Sequence, residues 1–150
     1  MGSTLTHLVY HIVFSTKNRQ NTVTPTLRET LYPYIGGIIR GEKGTALKIG
    51  GTKDHVHILA ALPPTLTVSE ALRCIKGNSS KWVNEGGSLK AHFEWQRGYG
   101  AFTVSESMVE TVSRYIENQE EHHRTKDFKE EYLVLLQTHG VKYDERYIWD

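Results

Sequence analysis

From His7 to Ser15 the chain alternates Leu8, Tyr10, Ile12 and Phe14 with Val9, His11 and Val13, a period of two that predicts a strand. A polar stretch, Lys17 to Asn21, follows as a loop. Thr24-Pro25 then reads as a cap and first-turn proline, opening a helix with an apolar stripe of Leu27, Leu31, Ile35, Ile38 and Ile39. Pro33 predicts a kink or interruption there, and Gly36-Gly37 weakens the helix further. Ala46 to Ile49 and His55 to Leu62 are strand-like, with Gly50-Gly51 as turn residues between them.

Thr67-Val68-Ser69-Glu70 has the form of a capping box and starts a second helix. Its buried side is Val68, Ala71, Leu72, Ile75, Trp82 and Val83, and Arg73, Lys76, Ser80 and Lys81 lie elsewhere; Gly77 suggests a close approach. Phe93 to Val104 supplies a fourth strand. Ser107-Met108-Val109-Glu110, a second capping box, opens a third helix over about 107–124, and Asp127-Phe128-Lys129-Glu130 begins a last one over about 128–139, stopped near Gly140. The order β-α-β-β-α-β followed by helices predicts the α+β class. The fold expected is a ferredoxin-like (split βαβ) antiparallel sheet with helices on one face plus C-terminal helices, in a single domain over 1–150.

Composition changes little in this picture. The 150 residues suit one core, and no apolar run reaches the ~20 residues of a membrane span. With no secretory-signal pattern and one cysteine, Cys74, the expected location is the reducing cell interior, the cytoplasm, with neither a disulfide nor a thiolate zinc site. Charge is uneven: residues 1–100 carry 12 Lys and Arg against 6 Asp and Glu, and the remainder carry 6 against 11. A basic front and an acidic tail fit a surface for phosphate and another for a partner chain, although solvated faces also drift in charge.

The chemistry gathers at Asp54-His55-Val56-His57. Alternation along a strand puts His55 and His57 on one face, within reach of one metal ion. Two imidazoles do not make a metal site, and two hydrogen-bonded core histidines are the plain alternative. In the third helix Tyr115 and Gln119 are four residues apart and share a face, where a half-buried core tyrosine beside a surface glutamine is the plain alternative. With Gln119 as third ligand the donors are neutral, which leaves the charge of Mg²⁺ or Mn²⁺ free to polarise a phosphate. Tyr115 would attack it as nucleophile. The phosphotyrosine ester so formed conserves the bond energy, in keeping with the lack of a nucleotide-binding phosphate loop.

These residues resemble a family. The segments Tyr10 to Lys17, Asp54 to His57, Ile75 to Ser80, Trp95 to Phe102 and Tyr115 to Gln119 are similar, in order, to the small single-tyrosine HUH transposases of bacterial insertion sequences. The resemblance covers about residues 5 to 147. It implies a transposase active in DNA transposition and recombination, with His55, His57 and Gln119 as ligands of a divalent metal. On this resemblance Tyr115 would become linked to a 5′ phosphate and free a 3′-OH. It also implies single-stranded DNA with imperfect hairpins at the element's ends as substrate. The expected assembly is a homodimer in which the tyrosine helix of one subunit can serve the histidine pair of the other. Phosphate contacts are expected from Lys17, Arg19, Lys53, Arg73, Lys76, Ser79, Lys81 and Arg97, with Trp82, Trp95 and Tyr99 available for base stacking. Trp82 sits on the apolar stripe, where core packing competes. His122 and His123 follow Gln119 without an assigned role. Three other readings share these residues: a nucleic-acid-binding module without catalysis, a water-using phosphodiesterase, and a domesticated relative that cuts host repeats.

Overall fold

The computed structural model describes residues 2–150. Four strands, β1 (Val9–Ser15), β2 (Thr45–Gly51), β3 (His55–Ala61) and β4 (Gly100–Thr103), form one antiparallel sheet in the order β2-β3-β1-β4. Helix α1 (Pro25–Gly41) links β1 to β2, and α2 (Val68–Gly86) links β3 to β4. Three further helices follow: α3 (Val109–Glu117), α4 (Gln119–His122) and α5 (Phe128–Thr138). This is the expected split βαβ sheet with an added helical tail.

The sheet is covered on both faces. Ile12, Phe14, Val56, Ile58 and Ala60 point to one side, where Leu27, Leu31, Ile35 and Ile39 of α1 and Leu72, Ile75 and Val83 of α2 bury them. Val9, Val13 and Leu59 point to the other, with Ile116 of α3 and with Phe128, Tyr132 and Leu136 of α5. By the two-residue alternation, His11, His55 and His57 belong to this second face. Strands β1 and β3 align Val13 with His57 and Ser15 with His55.

Two glycines let the covering helices approach. Gly50 pairs with His57 across β2 and β3, and a Cβ there would collide with the carbonyl oxygen and side chain of Ile116 in α3. At Gly100, opposite Val13, a Cβ would lie 2.9 Å from Tyr132 Cε1 in α5. Gly50→Ala is therefore expected to push α3 off the sheet, costing about 1–3 kcal/mol by overpacking. Tm in thermal melts should fall accordingly.

Several local expectations change. Helix α1 runs unbroken through Pro33 because that residue is exposed, so the carbonyl it leaves unpaired faces water. Gly50 and Gly51 end β2 by pairing with His57 and Val56, and the turn falls at Thr52 to Asp54. No atom comes within 4 Å of a Cβ placed at Gly77, so there is no close approach there. The segment before β4 is irregular from Phe93 to Tyr99, touching β1 through a single Thr16–Trp95 bridge. The caps at Thr24, Thr67 and Asp127 form as read, accepting from Leu27, Glu70 and Glu130. The one at Ser107 does not: a 3₁₀ turn over Glu106–Met108 precedes α3, and Met108 caps it without a side-chain bond. The third helix is also not continuous to 124. It breaks at Asn118 (φ −97°, ψ 26°), leaving Tyr115 on α3 and Gln119 on α4.

Candidate active site

His55 and His57 are fully buried, their ring centroids 5.0 Å apart. Both present Nε2 to one carboxylate, Glu131 of α5, with Oε1 at 3.1 Å from His57 and 3.4 Å from His55. Gln119 Oε1 lies 2.9 Å from His55 Nε2. His123 Nε2 bridges the two oxygens, 3.1 Å from Gln119 Oε1 and 3.0 Å from Glu131 Oε1. The Tyr115 hydroxyl donates to Glu131 Oε2. Its ring meets His57 edge-on at 5.8 Å and lies against His122 at 4.7 Å. The structure thus gathers His55, His57, Gln119 and Tyr115 in one cluster within a single chain.

The far side of each imidazole is also held. Asp54 Oδ1 accepts from His55 Nδ1 at 2.7 Å and is itself bonded by the Thr52 hydroxyl. His57 Nδ1 meets His11 Nε2 at 2.8 Å. A histidine whose remote nitrogen is engaged keeps its ring fixed with Nε2 directed at the site.

Glu131, His123 and His11 are the participants that sequence reasoning did not assign. Glu131 had a visible signal. It lies three residues after Phe128 and next to Tyr132, inside the apolar stripe of α5, where a carboxylate needs partners. His11 is likewise an imidazole in the interior of an apolar strand.

Electrostatics bind the cluster together. Burial opposes charge on His55, yet its bonds to Asp54 and Glu131 overcome that and push its pKa up to about 9. Burial prevails at His57, lowering it to about 4 against the pull of Glu131, and at His11, lowered to about 3 with help from His57. Burial alone would raise Glu131; hydrogen bonds from His123, His55 and His57 reverse this and hold it far below the usual carboxylate range. The Tyr115 phenol is pushed well above its ordinary value, first by burial and then by the Glu131 charge.

These shifts give the metal-free protein a bell-shaped stability profile. His55, raised, contributes stability that is full below about pH 6.5 and lost as pH climbs through about 9. His57 and His11, lowered, refuse protons that the unfolded chain takes up near pH 6.5, so stability falls as pH drops toward about 4. Each group contributes about 1.4 kcal/mol per pH unit within its window. Tm should peak near neutrality, and a flat profile between about pH 4 and 9 would contradict the network.

His55, His57 and Glu131 each offer a donor atom, all within 4.8 Å of one another and all buried. Two imidazoles and a carboxylate, with Gln119 Oε1 adjoining, are a donor set that fits a divalent first-row ion. The cluster is therefore able to hold a metal.

The residues expected to meet phosphate fall into two groups. Arg73, Lys76, Lys81 and Arg97 line one cavity of about 890 Å³ between α2 and the 92–99 segment, with Tyr99 in its wall. Lys76 donates to the carbonyls of Arg97 and Gly98, lies 5.9 Å from the Tyr99 ring centre, and is lowered by burial to about 8. Lys17 pairs with Glu94, Arg19 lies over Trp149, and Lys53 is exposed near Asp54. Ser79 does not belong with them: it is fully buried and accepts from Trp95 Nε1 at 2.9 Å, which leaves it no face toward a ligand. Trp95 is core for the same reason, and Trp82 stacks on Tyr34.

A split βαβ sheet with a buried histidine pair under a tyrosine-bearing helix is the arrangement expected of a DNA transposase, and the comparisons give the class. The family described as IS200-like transposase matches residues 4–119, and the chain belongs to it. It is 30% identical over 115 residues to the transposase for insertion sequence element IS200 of Salmonella typhimurium, covering 73% of this chain and 75% of that protein. It is 24% identical over 125 residues to the ISDra2 transposase TnpA of Deinococcus radiodurans, covering 75% and 84%. Among solved structures, one from Deinococcus radiodurans R1 assigned as a transposase superposes with a TM-score of 0.65 at 23% identity, over 79% of this chain and 95% of that one. A REP-associated tyrosine transposase bound to a REP hairpin superposes with a TM-score of 0.57 at 17% identity, over 79% and 72%. The family match ends at Gln119, so α5 and its Glu131 lie beyond it. Membership makes this chain a transposase that cleaves DNA. Among the described residues no helix is long and apolar enough to cross a membrane.

Proposed function

We propose that this protein cuts and rejoins single-stranded DNA by transesterification, with Tyr115 as nucleophile and His55, His57, Gln119 and Glu131 as the donors around a Mg²⁺ or Mn²⁺ ion. The observation that carries this reading is the Glu131 bridge, which ties the Tyr115 hydroxyl to both histidines. The bound ion supplies polarisation of the scissile phosphate and offsets charge in the transition state. Tyr115 Oη attacks phosphorus and expels the 3′ oxygen, giving a 5′-phosphotyrosine and a free 3′-OH; the reverse attack by a 3′-OH rejoins the strand. The hydroxyl is oriented by its hydrogen bond to Glu131 Oε2, and the proton it gives up is balanced by the one the leaving 3′ oxygen takes up. Burial and the neighbouring Glu131 charge keep the phenol protonated, so an idle enzyme keeps its nucleophile quiet.

The basic cavity beside α2 supports a path for the DNA backbone, with Tyr99 available to stack on a base. The hairpin-bound neighbour supports hairpin-containing element ends as the substrate. A homodimer fits the acidic C-terminal third. Tyr115 stands beside the His57 of its own chain, which favours a site built in cis. The test incubates the protein with Mn²⁺ and labelled single-stranded DNA from its own gene flanks, then looks for an adduct that survives denaturation. An adduct is expected; cleaved product without one would favour a water-using phosphodiesterase, and binding without cleavage a non-catalytic module. Mixing Tyr115→Phe with His57→Ala subunits should not restore cleavage if each site is made by one chain.

A further inference from the structure

His11 lies at mid-strand in β1, only 4% exposed, and takes no part in the proposed transesterification itself. Its ring stacks on His57, with centroids 5.0 Å apart and planes at 26°. Its Nε2 is 2.8 Å from His57 Nδ1. Phe102 and Tyr115 meet it edge-on at 6.2 and 6.1 Å. Surrounded in this way, a phenylalanine or leucine would fill the space without burying a polar ring. The polarity of His11 is directed at one atom, the remote nitrogen of His57.

We propose that His11 is a positioning residue for His57: it holds that ring with Nε2 in the metal cluster and reverses the direction of their shared hydrogen bond when a cation binds. The proposal rests on His57 being a ligand.

The direction of the bond follows from the partners. Without a cation, His57 Nε2 faces the Glu131 carboxylate at 3.1 Å, and a carboxylate only accepts. The His57 proton is then on Nε2, its Nδ1 is a lone pair, and His11 Nε2–H donates to it. A cation needs the Nε2 lone pair. The His57 proton must now sit on Nδ1 and donate to His11 Nε2, while His11 carries its own proton on Nδ1. Each ring is neutral with one proton before and after, so the loss at His57 Nε2 is balanced by a gain at His11 Nδ1. A carboxylate in place of His11 would favour only the second arrangement. His55 has that simpler support, an acceptor-only Asp54 at 2.7 Å.

The test measures Mn²⁺ affinity of the full chain by EPR, together with ¹⁵N chemical shifts of histidine-labelled protein without metal and with Zn²⁺ as a diamagnetic probe. His11→Phe keeps the ring stack but neither donates nor accepts, and should weaken Mn²⁺ binding about 10- to 100-fold. His11→Gln carries both a donor and an acceptor and should recover most of the loss. In the wild type, the His57 proton should be on Nε2 without metal and on Nδ1 with it. Unchanged affinity in His11→Phe, or a Gln variant as weak as Phe, overturns the role of His11 alone. Wild-type protein that binds no Mn²⁺ overturns the metal reading and this one with it. If His11→Phe does not fold, the shifts decide: a His57 proton on the same nitrogen in both states overturns the reversal.

Discussion

Tyr115→Phe is expected to abolish the covalent DNA adduct and to reduce strand cleavage by at least ~10³-fold, since the hydroxyl proposed to form the phosphoester bond is gone. The substitution is otherwise mild. The phenyl ring keeps its contacts with His57 and His122, and what disappears is one hydrogen bond to a charged carboxylate, worth about 1.5–3 kcal/mol. Mn²⁺ affinity should be largely retained, because Tyr115 touches the cluster through Glu131 and contributes no donor in this geometry. A variant that still yields an adduct would remove Tyr115 from the chemistry. One that loses DNA cleavage together with metal binding would point to a disrupted cluster and not to a missing nucleophile.

Glu131→Ala should have the largest effect on stability. It leaves His55, His57 and His123 converging on a void, with the positive charge of His55 answered by Asp54 alone. Removing one partner from a buried ionic cluster costs about 3–5 kcal/mol, a fall in Tm of roughly 10 °C for a chain of this size. Mn²⁺ binding should weaken in parallel. Glu131→Gln separates shape from charge. With the volume kept and the anion gone, the Tyr115 phenol should ionise at lower pH than in the wild type, because only burial then holds it up. Difference absorption across an alkaline titration would read this. An unmoved Tyr115 titration would mean that Glu131 is not what raises it.

Much of the scaffold was legible because strands and amphipathic helices announce themselves by period. β1, β3 and α2 followed directly from alternation and from the Thr67 cap, and the shared face of His55 and His57 came with them. Tertiary context decided the rest. Pro33 is tolerated because its face of α1 is wet, and Gly50-Gly51 reads as a turn although its role is to seat α3. The Tyr115–Gln119 spacing suggested one continuous helix face. The chain instead breaks at Asn118, and the two side chains meet the cluster from separate helices. Glu131 escaped because it reaches the histidines across 74 residues, and local spacing cannot show which stripe a buried acid will face. Ser79 was misplaced for the converse reason, since nothing local reveals the Trp95 indole that takes its hydroxyl inward.

The candidate donors divide unevenly along the chain, and this bears on the order of assembly. His55 and His57 belong to the sheet, whereas the helices that bury them, α3 to α5, are the last to be synthesised. A sheet packed on α1 and α2 would present an open histidine pair to any passing ion before Glu131 arrives to close over it. Because Glu131 rides on α5, held to the sheet by Phe128, Tyr132 and Leu136, a local opening of that helix would take one donor away from the histidine pair while the sheet keeps the other two.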